Sequence, residues 1–225
     1  MLAAIVAGGL GTRMGAATAN MPKPMLPVLG KPLLEHQLGW LKSQGFSDIV
    51  LCLGYKAEAV KDYFGDGRKW GVSLRYSVEE RPRGTAGCIA DLKAKEDILV
   101  VYGDLYPKLG LGPLLEFHAG REEPAATLVL LHTDHPQDSD LAELKGDRIA
   151  RIYRGGPGDL ALAAVWIVTP ALAGLIPADK PSDFGRDVFP AALAQGAPLY
   201  GCVMQGVLAD LGTPERLARF TAARA

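Results

Sequence analysis

The run Leu2-Ala3-Ala4-Ile5-Val6-Ala7 passes directly into Gly8, Gly9 and Gly11, and this junction restricts the possible folds more than any other stretch of the chain. A short, wholly apolar segment that stops at glycine has the length of one buried strand of a parallel sheet covered on both faces. Glycines at the strand end let the backbone bend through positive φ and leave no Cβ between its N–H groups and a ligand. Such a turn can wrap phosphate oxygens with backbone donors. Thr12 and Arg13 continue it, and Lys23 follows between Pro22 and Pro24, with Pro27 just beyond. Stiff neighbours reduce the entropy lost when that lysine engages an anion. The stretch from Leu2 to Val28 therefore reads as a triphosphate-binding loop. Its nucleotide contacts are expected from Ala7, Gly8, Gly9, Gly11 and Thr12, and its cations are Arg13 and Lys23.

Two other phosphate loops do not fit. The pattern G-x-x-x-x-G-K-[ST] is absent, because Lys23 stands far from the glycines and is followed by Pro24. A dinucleotide fingerprint needs G-x-G-x-x-G and an acidic residue closing the second strand. Here Gly9-Leu10-Gly11 leads to Gly15, one position late, and the second apolar run ends Cys52-Leu53-Gly54-Tyr55. An NAD-binding oxidoreductase is thereby disfavoured.

The 225 residues are 48% hydrophobic and 22% charged with a formal net charge of −1, which suits one α/β domain with a substantial core. Near-neutral charge without basic blocks argues against nucleic-acid binding. No apolar run is long enough to span a membrane, and the start has neither the length nor the basic region of a signal peptide. Cys52, Cys88 and Cys202 lie in apolar or helical stretches without CxxC spacing, as in buried thiols of a reducing, cytoplasmic protein. The histidines His36, His118, His132 and His135 show no zinc pattern beyond the weak His132-x-x-His135 pair and read as surface or helix residues.

In order along the chain, helices are expected over Pro32 to Gly45, Ala57 to Phe64 and Thr85 to Lys95. Strands are expected over Asp48 to Leu53, Val72 to Val78 and Ile98 to Tyr102. This alternation implies a mainly parallel sheet with ligands at the carboxyl ends of its strands, where Glu79 and Asp104 also fall. Further on come a short helix at Leu114 to His118 and a strand at Thr127 to His132. Ile149 to Tyr153 and Leu160 to Val168 read as a strand pair joined through Gly155-Gly156-Pro157-Gly158-Asp159. A helix over Asp183 to Ala194, a strand over Leu199 to Met204 and a helix from Pro214 to Arg224 complete the reading. It treats 1–225 as a single domain, with the triphosphate-binding turn in a half that runs to about residue 110 and a less regular half beyond it, the half that the resemblance described next implies to bind sugar.

G-G-x-G-T-R-M followed by P-K-P-M-L-P-V resembles the two-part signature of the sugar-1-phosphate nucleotidyltransferases, the nucleotide-sugar pyrophosphorylases, and nearly the whole chain follows that plan. The resemblance implies an α/β fold with a Rossmann-like, mainly parallel mixed sheet flanked by helices. It also implies a reaction in which a sugar 1-phosphate and a nucleoside triphosphate give a nucleotide-sugar and pyrophosphate with Mg²⁺. Asp104, in a Gly-Asp pair, and Asp210, in Asp-Leu-Gly-Thr-Pro, match the two aspartates that hold the metal. Without the resemblance, each reads equally well as a helix or turn cap. Arg13 is assigned to the leaving β- and γ-phosphates, and Lys23 to the α-phosphate and the incoming phosphate.

The segment Tyr76 to Gly87 is similar to the family's base-reading stretch, which places Glu79, Gly84 and Thr85 in the nucleotide site. A carboxylate only accepts hydrogen bonds and guanine presents two adjacent donors, so Glu79 favours GTP. The match is closest to manno-heptose and mannose 1-phosphate guanylyltransferases. At the sugar end the chain departs from the pattern: Phe184-Gly185-Arg186-Asp187 lacks an expected glutamate, and Leu162 stands where an asparagine is usual. Arg186 and Asp187 are expected at the sugar phosphate. Trp166 is placed with them as a stacking wall, core being its other reading. Other expectations carried forward are a different base or phosphorylated alcohol, or a module that binds without turnover. The partners expected are small molecules, with a homodimer as the oligomer considered.

Overall fold

A computed structural model describes residues 1–18 and 21–223, without the side chains of residues 13, 16, 17 and 207. The elements in chain order are β1 (Leu2–Ala7), β2 (Pro27–Val28), β3 (Lys31–Pro32), α1 (Leu33–Ser43), β4 (Asp48–Leu53), α2 (Ala57–Phe64), β5 (Ser73–Val78), α3 (Gly84–Ala90) and β6 (Ile98–Tyr102). They continue with β7 (Leu105–Lys108), α4 (Gly112–Ala119), β8 (Ala126–His132), β9 (Asp140–Lys145), β10 (Arg148–Arg154), β11 (Leu160–Val168), α5 (Pro170–Ala173), α6 (Phe189–Ala194), β12 (Leu199–Val203), β13 (Val207–Asp210) and α7 (Pro214–Ala222). The result is an α/β fold with a mixed parallel and antiparallel sheet and flanking helices.

The chain divides into two compact units. One comprises residues 2–82, 101–109 and 207–225; the other comprises Met1 and residues 83–100 and 110–206. These units differ from halves split near residue 110 in where residues 83–100 and 207–225 fall. Asp104 and Asp210 are thereby members of one unit, together with the glycine turn.

In that first unit β4 runs parallel to both β1 and β5, with Ile5 opposite Leu51 and Leu51 opposite Tyr76. Ala3, Ala4 and Ile5 of β1 and Ile49 and Leu51 of β4 have no solvent exposure, as their unbroken apolar runs require. Helix α1 buries Leu33, Leu34, Gln37, Leu38, Trp40 and Leu41. The Gln37 amide donates to the carbonyls of Tyr102 and Leu105, each at 2.8 Å, and the Trp40 indole to that of Leu109 at 2.6 Å. These bonds tie α1 to the backbone on both sides of Asp104.

The second unit is the antiparallel part. Strand β8 pairs antiparallel with β11 and parallel with β12, and β10 pairs antiparallel with β9 and β12. The expected pairing of Ile149–Tyr153 with Leu160–Val168 is corrected here. The partner of β10 is β9, joined to it by a tight turn through Gly146 (φ 62) and Asp147, whereas β11 pairs with β8 and touches β9 through Ala161 opposite Leu141. A two-residue hairpin needs positive φ, which Gly146 supplies, and its twist matches that of the strands it joins. The helix expected over Asp183 to Ala194 begins as a π turn, Phe184–Val188, before α6. Pro190 explains this, because it cannot donate to the carbonyl four residues earlier and its ring needs room there. No helix among the described residues is long and apolar enough to cross a membrane.

Candidate active site

The end of β1 is the floor of the site. Gly103 donates to the carbonyl of Val6 at 2.9 Å, and a Cβ on Gly103 would lie 2.8 Å from that of Ala7. Only glycine permits this approach, and it delivers Asp104 to the end of β1. Glu79 lies on the same edge, with its amide bonded to the carbonyl of Leu53 at 2.9 Å. Its carboxylate folds over two glycines: a Cβ on Gly8 would meet Oε1 at 2.6 Å, and one on Gly54 at 2.9 Å. The absence of side chains at Gly8 and Gly54 thus makes space for the carboxylate expected to read the base.

The turn beyond Gly8 is open at Gly9, where an added Cβ would meet nothing within 4 Å. It is held further along by Thr18, whose hydroxyl donates to the carbonyl of Gly11 at 3.0 Å, and by the buried Met14. Thr12 begins a helical turn that runs to Thr18 with a kink at Gly15. The Arg13 side chain lies outside the described residues.

Lys23 opens the short turn Lys23–Met25, with Pro24 buried beneath it. Its ammonium contacts Asp104 Oδ2 at 2.7 Å, with the two side chains 13% and 22% exposed. The sequence expectation brought Lys23 and Asp104 to one polyphosphate, and the structure pairs them directly.

Asp210 is brought to the backbone beside Asp104 by strand pairing. In the antiparallel ladder of β7 and β13, Asp210 stands opposite Leu105 and Ala209 opposite Tyr106, and the Leu211 amide donates to the Asp104 carbonyl at 2.9 Å. Leu211 is buried with Val28, Leu33 and Phe220, against which Tyr106, Ala209 and Leu217 pack. That cluster anchors β13 and α7 and so fixes where Asp210 emerges. The Asp210 carboxylate accepts from the Gly212 amide at 2.6 Å through Oδ1 and from the Arg216 guanidinium through Oδ2. Sequence reasoning does not single out Arg216. Its visible signal is a cation in the first turn of a helix, where anions are favoured.

Asp104 and Asp210 leave hydrogen-bonded neighbouring backbones, and their carboxylates offer hard oxygens of the kind that Mg²⁺ uses together with phosphate oxygens and water. Among the described residues no group of three or more His, Cys, Asp or Glu could hold a metal by itself.

The second unit has its own polar cluster. Gly84 adopts φ +73, and a Cβ there would lie 2.3 Å from the Ser182 carbonyl oxygen. The Thr85 hydroxyl donates to Asp183 Oδ2 at 2.8 Å and accepts from the Phe184 amide at 3.1 Å. Asp183 Oδ1 also caps the following turn by accepting from the Gly185 and Arg186 amides, and the Asp183 amide in turn donates to Asp187 Oδ2 at 2.7 Å. Thr85, Asp183 and Asp187 thus form a reciprocal cap, while Arg186 is exposed. Trp166 is corrected to core. The residue is 3% exposed, and its ring lies in T-shaped arrangements with Phe184 and Phe189 at centroid distances of 5.5 and 5.3 Å, which makes it part of the core and not an exposed stacking wall.

Residues 2–152 match the family model described as nucleotidyl transferase. The chain belongs to the sugar-1-phosphate nucleotidyltransferase family. It is 33% identical over 228 residues to a mannose-1-phosphate guanylyltransferase of Mycobacterium tuberculosis, covering 98% of this chain and 63% of that protein. It is 30% identical over 236 residues to a UTP–glucose-1-phosphate uridylyltransferase of Synechocystis, covering 94% of this chain and 60% of the relative. The chain therefore spans somewhat under two thirds of the length of these relatives. Among solved structures, HddC from Yersinia pseudotuberculosis superposes with a TM-score of 0.83 at 24% identity over 100% of this chain and 99% of the other, a likeness of fold. Members of this nucleotidyltransferase family that match the chain act on different bases, so family membership leaves the base open.

Proposed function

We propose that the chain transfers a nucleotidyl group from a nucleoside triphosphate, GTP by preference, to a manno-configured sugar 1-phosphate, releasing pyrophosphate. The observation that carries this reading is the joining of Asp104, Asp210 and Lys23 at the end of β1 by the β7–β13 ladder and the Lys23–Asp104 ion pair. A phosphate oxygen of the sugar attacks the α-phosphorus as the bond to pyrophosphate breaks. Two anions approach and charge grows on the leaving oxygens, so cations already in position stabilise the transition state more effectively than acid–base groups. Lys23 neutralises the α-phosphate and the incoming phosphate, and Arg13 the leaving pyrophosphate. The backbone from Ala7 to Thr12 faces the triphosphate. Asp104 and Asp210 would hold Mg²⁺, which when bound supplies further positive charge to the phosphate oxygens.

Glu79 supports guanine, since a carboxylate accepts from the N1 and N2 donors of that base and finds no such pair on uracil or thymine. The relative from Mycobacterium tuberculosis, whose name specifies guanylyl transfer to mannose 1-phosphate, supports the same choice. Gly84 and Thr85 are assigned to the nucleotide, and Arg186 and Asp187 to the sugar phosphate, Arg186 having the fork geometry for a phosphate.

The test is pyrophosphate release with GTP, UTP, CTP and dTTP, each paired with a panel of sugar 1-phosphates, for the native chain and for Glu79→Gln. Release with GTP and a mannose-type phosphate, reduced relative to UTP or dTTP by the substitution, is expected. Silence with every pair would leave a binding module.

A further inference from the structure

Asp210 has both carboxylate oxygens engaged by its own chain, one by the Gly212 amide and the other by Arg216. Asp104 is likewise engaged, by Lys23. Each of the two aspartates, which leave hydrogen-bonded neighbouring backbones, thus has its own cation.

The Arg216 cation is placed against local preference. Thr213 caps α7, Pro214 follows, and the Arg216 amide donates to the Thr213 hydroxyl at 3.3 Å, so Arg216 sits in the first turn. The helix dipole disfavours positive charge there. Departures from a local rule concentrate at functional sites, and the charge that compensates this one is the carboxylate assigned to the metal. The pair is also open to solvent, its side chains being 40% and 41% exposed. Ion pairs so exposed contribute little to stability, which suits a contact that must be given up.

We propose that Arg216 is the built-in counter-ion of the metal site. It occupies Asp210 until a divalent cation arrives together with a triphosphate, and then yields the carboxylate. A free divalent ion has to displace the guanidinium unaided. One that arrives with a triphosphate brings anions that can take up the released positive charge. Metal and nucleotide binding are therefore coupled, each strengthening the other. Arg216 acts here as a positioning residue, and the inference rests on the reading of Asp210 as a metal ligand.

The experiment measures Mn²⁺ binding by the electron paramagnetic resonance of the free ion, with and without GTP, for the native chain, Arg216→Gln, Arg216→Met and Asp210→Asn. Circular dichroism checks that each variant is folded. Removing the guanidinium is expected to tighten Mn²⁺ binding without nucleotide by about two- to fivefold, the range available to an exposed pair. It is also expected to shrink the enhancement that GTP brings. Arg216→Met, which keeps the aliphatic stem, should reproduce the effect of the glutamine. If Asp210→Asn loses GTP-assisted Mn²⁺ binding while both Arg216 variants match the native chain without nucleotide, the counter-ion role is overturned and the ligand reading stands. If Asp210→Asn binds Mn²⁺ as the native chain does, the ligand reading fails and this inference fails with it.

Discussion

The amide of Leu211 donates to the carbonyl of Asp104 at 2.9 Å. This bond extends the β7–β13 ladder one residue past Asp210, so two aspartates far apart in sequence emerge from adjacent, paired backbones. Leu211 then turns inward to Val28, Leu33 and Phe220. The same residue thus supplies the pairing and the apolar anchor, and the placement of Asp210 depends on both.

Lys23→Gln is expected to leave the circular dichroism spectrum unchanged and to cut pyrophosphate release by about a hundredfold or more, the usual cost of losing a preorganised donor to a phosphate. The aspartate it leaves behind is partly exposed, so the fold survives. Turnover within a few fold of the native chain would remove Lys23 from the mechanism.

Leu211→Ala removes a side chain that is 2% exposed in a small apolar cluster. Truncations of this kind cost about 2–5 kcal/mol through lost burial and the cavity left behind. Urea denaturation should show a loss in that range. Mn²⁺ binding in the presence of GTP should weaken as well, because Asp210 loses its anchor. A variant as stable as the native chain would show that the cluster does not hold β13.

Thr85 and Asp183 form one hydrogen-bonded unit with the Phe184 amide. Thr85→Ala and Asp183→Ala are each expected to destabilise the chain by about 0.5–2 kcal/mol, the usual cost of a lost cap. Their double variant should lose less than the sum, because residues sharing a network are coupled. Strict additivity in denaturant midpoints would show two independent contributions.

Burial pushes the Cys202 thiol above its ordinary pKa; Arg121 nearby lowers it and Asp147 raises it. The thiolate is the reactive form, so Cys202 should alkylate at pH 8 more slowly in the native chain than in urea. Because the folded value is raised, the linked stability is fully present below the unfolded thiol pKa of about 8.5. It is lost as pH climbs through the folded value. Equal labelling rates by mass spectrometry in the two states would contradict the burial.

Where the chain carries its own local signal, sequence and structure agree closely. Asp48–Leu53 and Ile98–Tyr102 are strands within the bounds their apolar runs suggest, and Ala57–Phe64 is a helix. The glycine turn and Lys23 are legible for the same reason, as residue types whose chemistry is visible at short range, whereas the two aspartates are singled out only by the resemblance to the family's motifs. Trp166 is different, since an aromatic ring in a strand is usually core but can also wall a ligand, and its burial and its contacts with Phe184 and Phe189 decide for the core.

Strands β7 and β13 could not be read locally. Each is short, β7 contains Pro107, and each is a strand only because it pairs with the other, a proline being tolerated in a ribbon with open edges. The partner of β10 was hidden likewise, because β9 mixes apolar and charged residues and the glycine-rich stretch 155–159 offers a competing turn. Local sequence was enough for the glycine turn, for the apolar strands that flank it and for the charged side chains that follow it. Tertiary structure alone decided that Asp104 meets Lys23, that Asp210 meets Arg216, and that Leu211 joins the two aspartates. Pairing between distant segments is selected by the total burial it allows, and that sum exists only once the whole chain has folded.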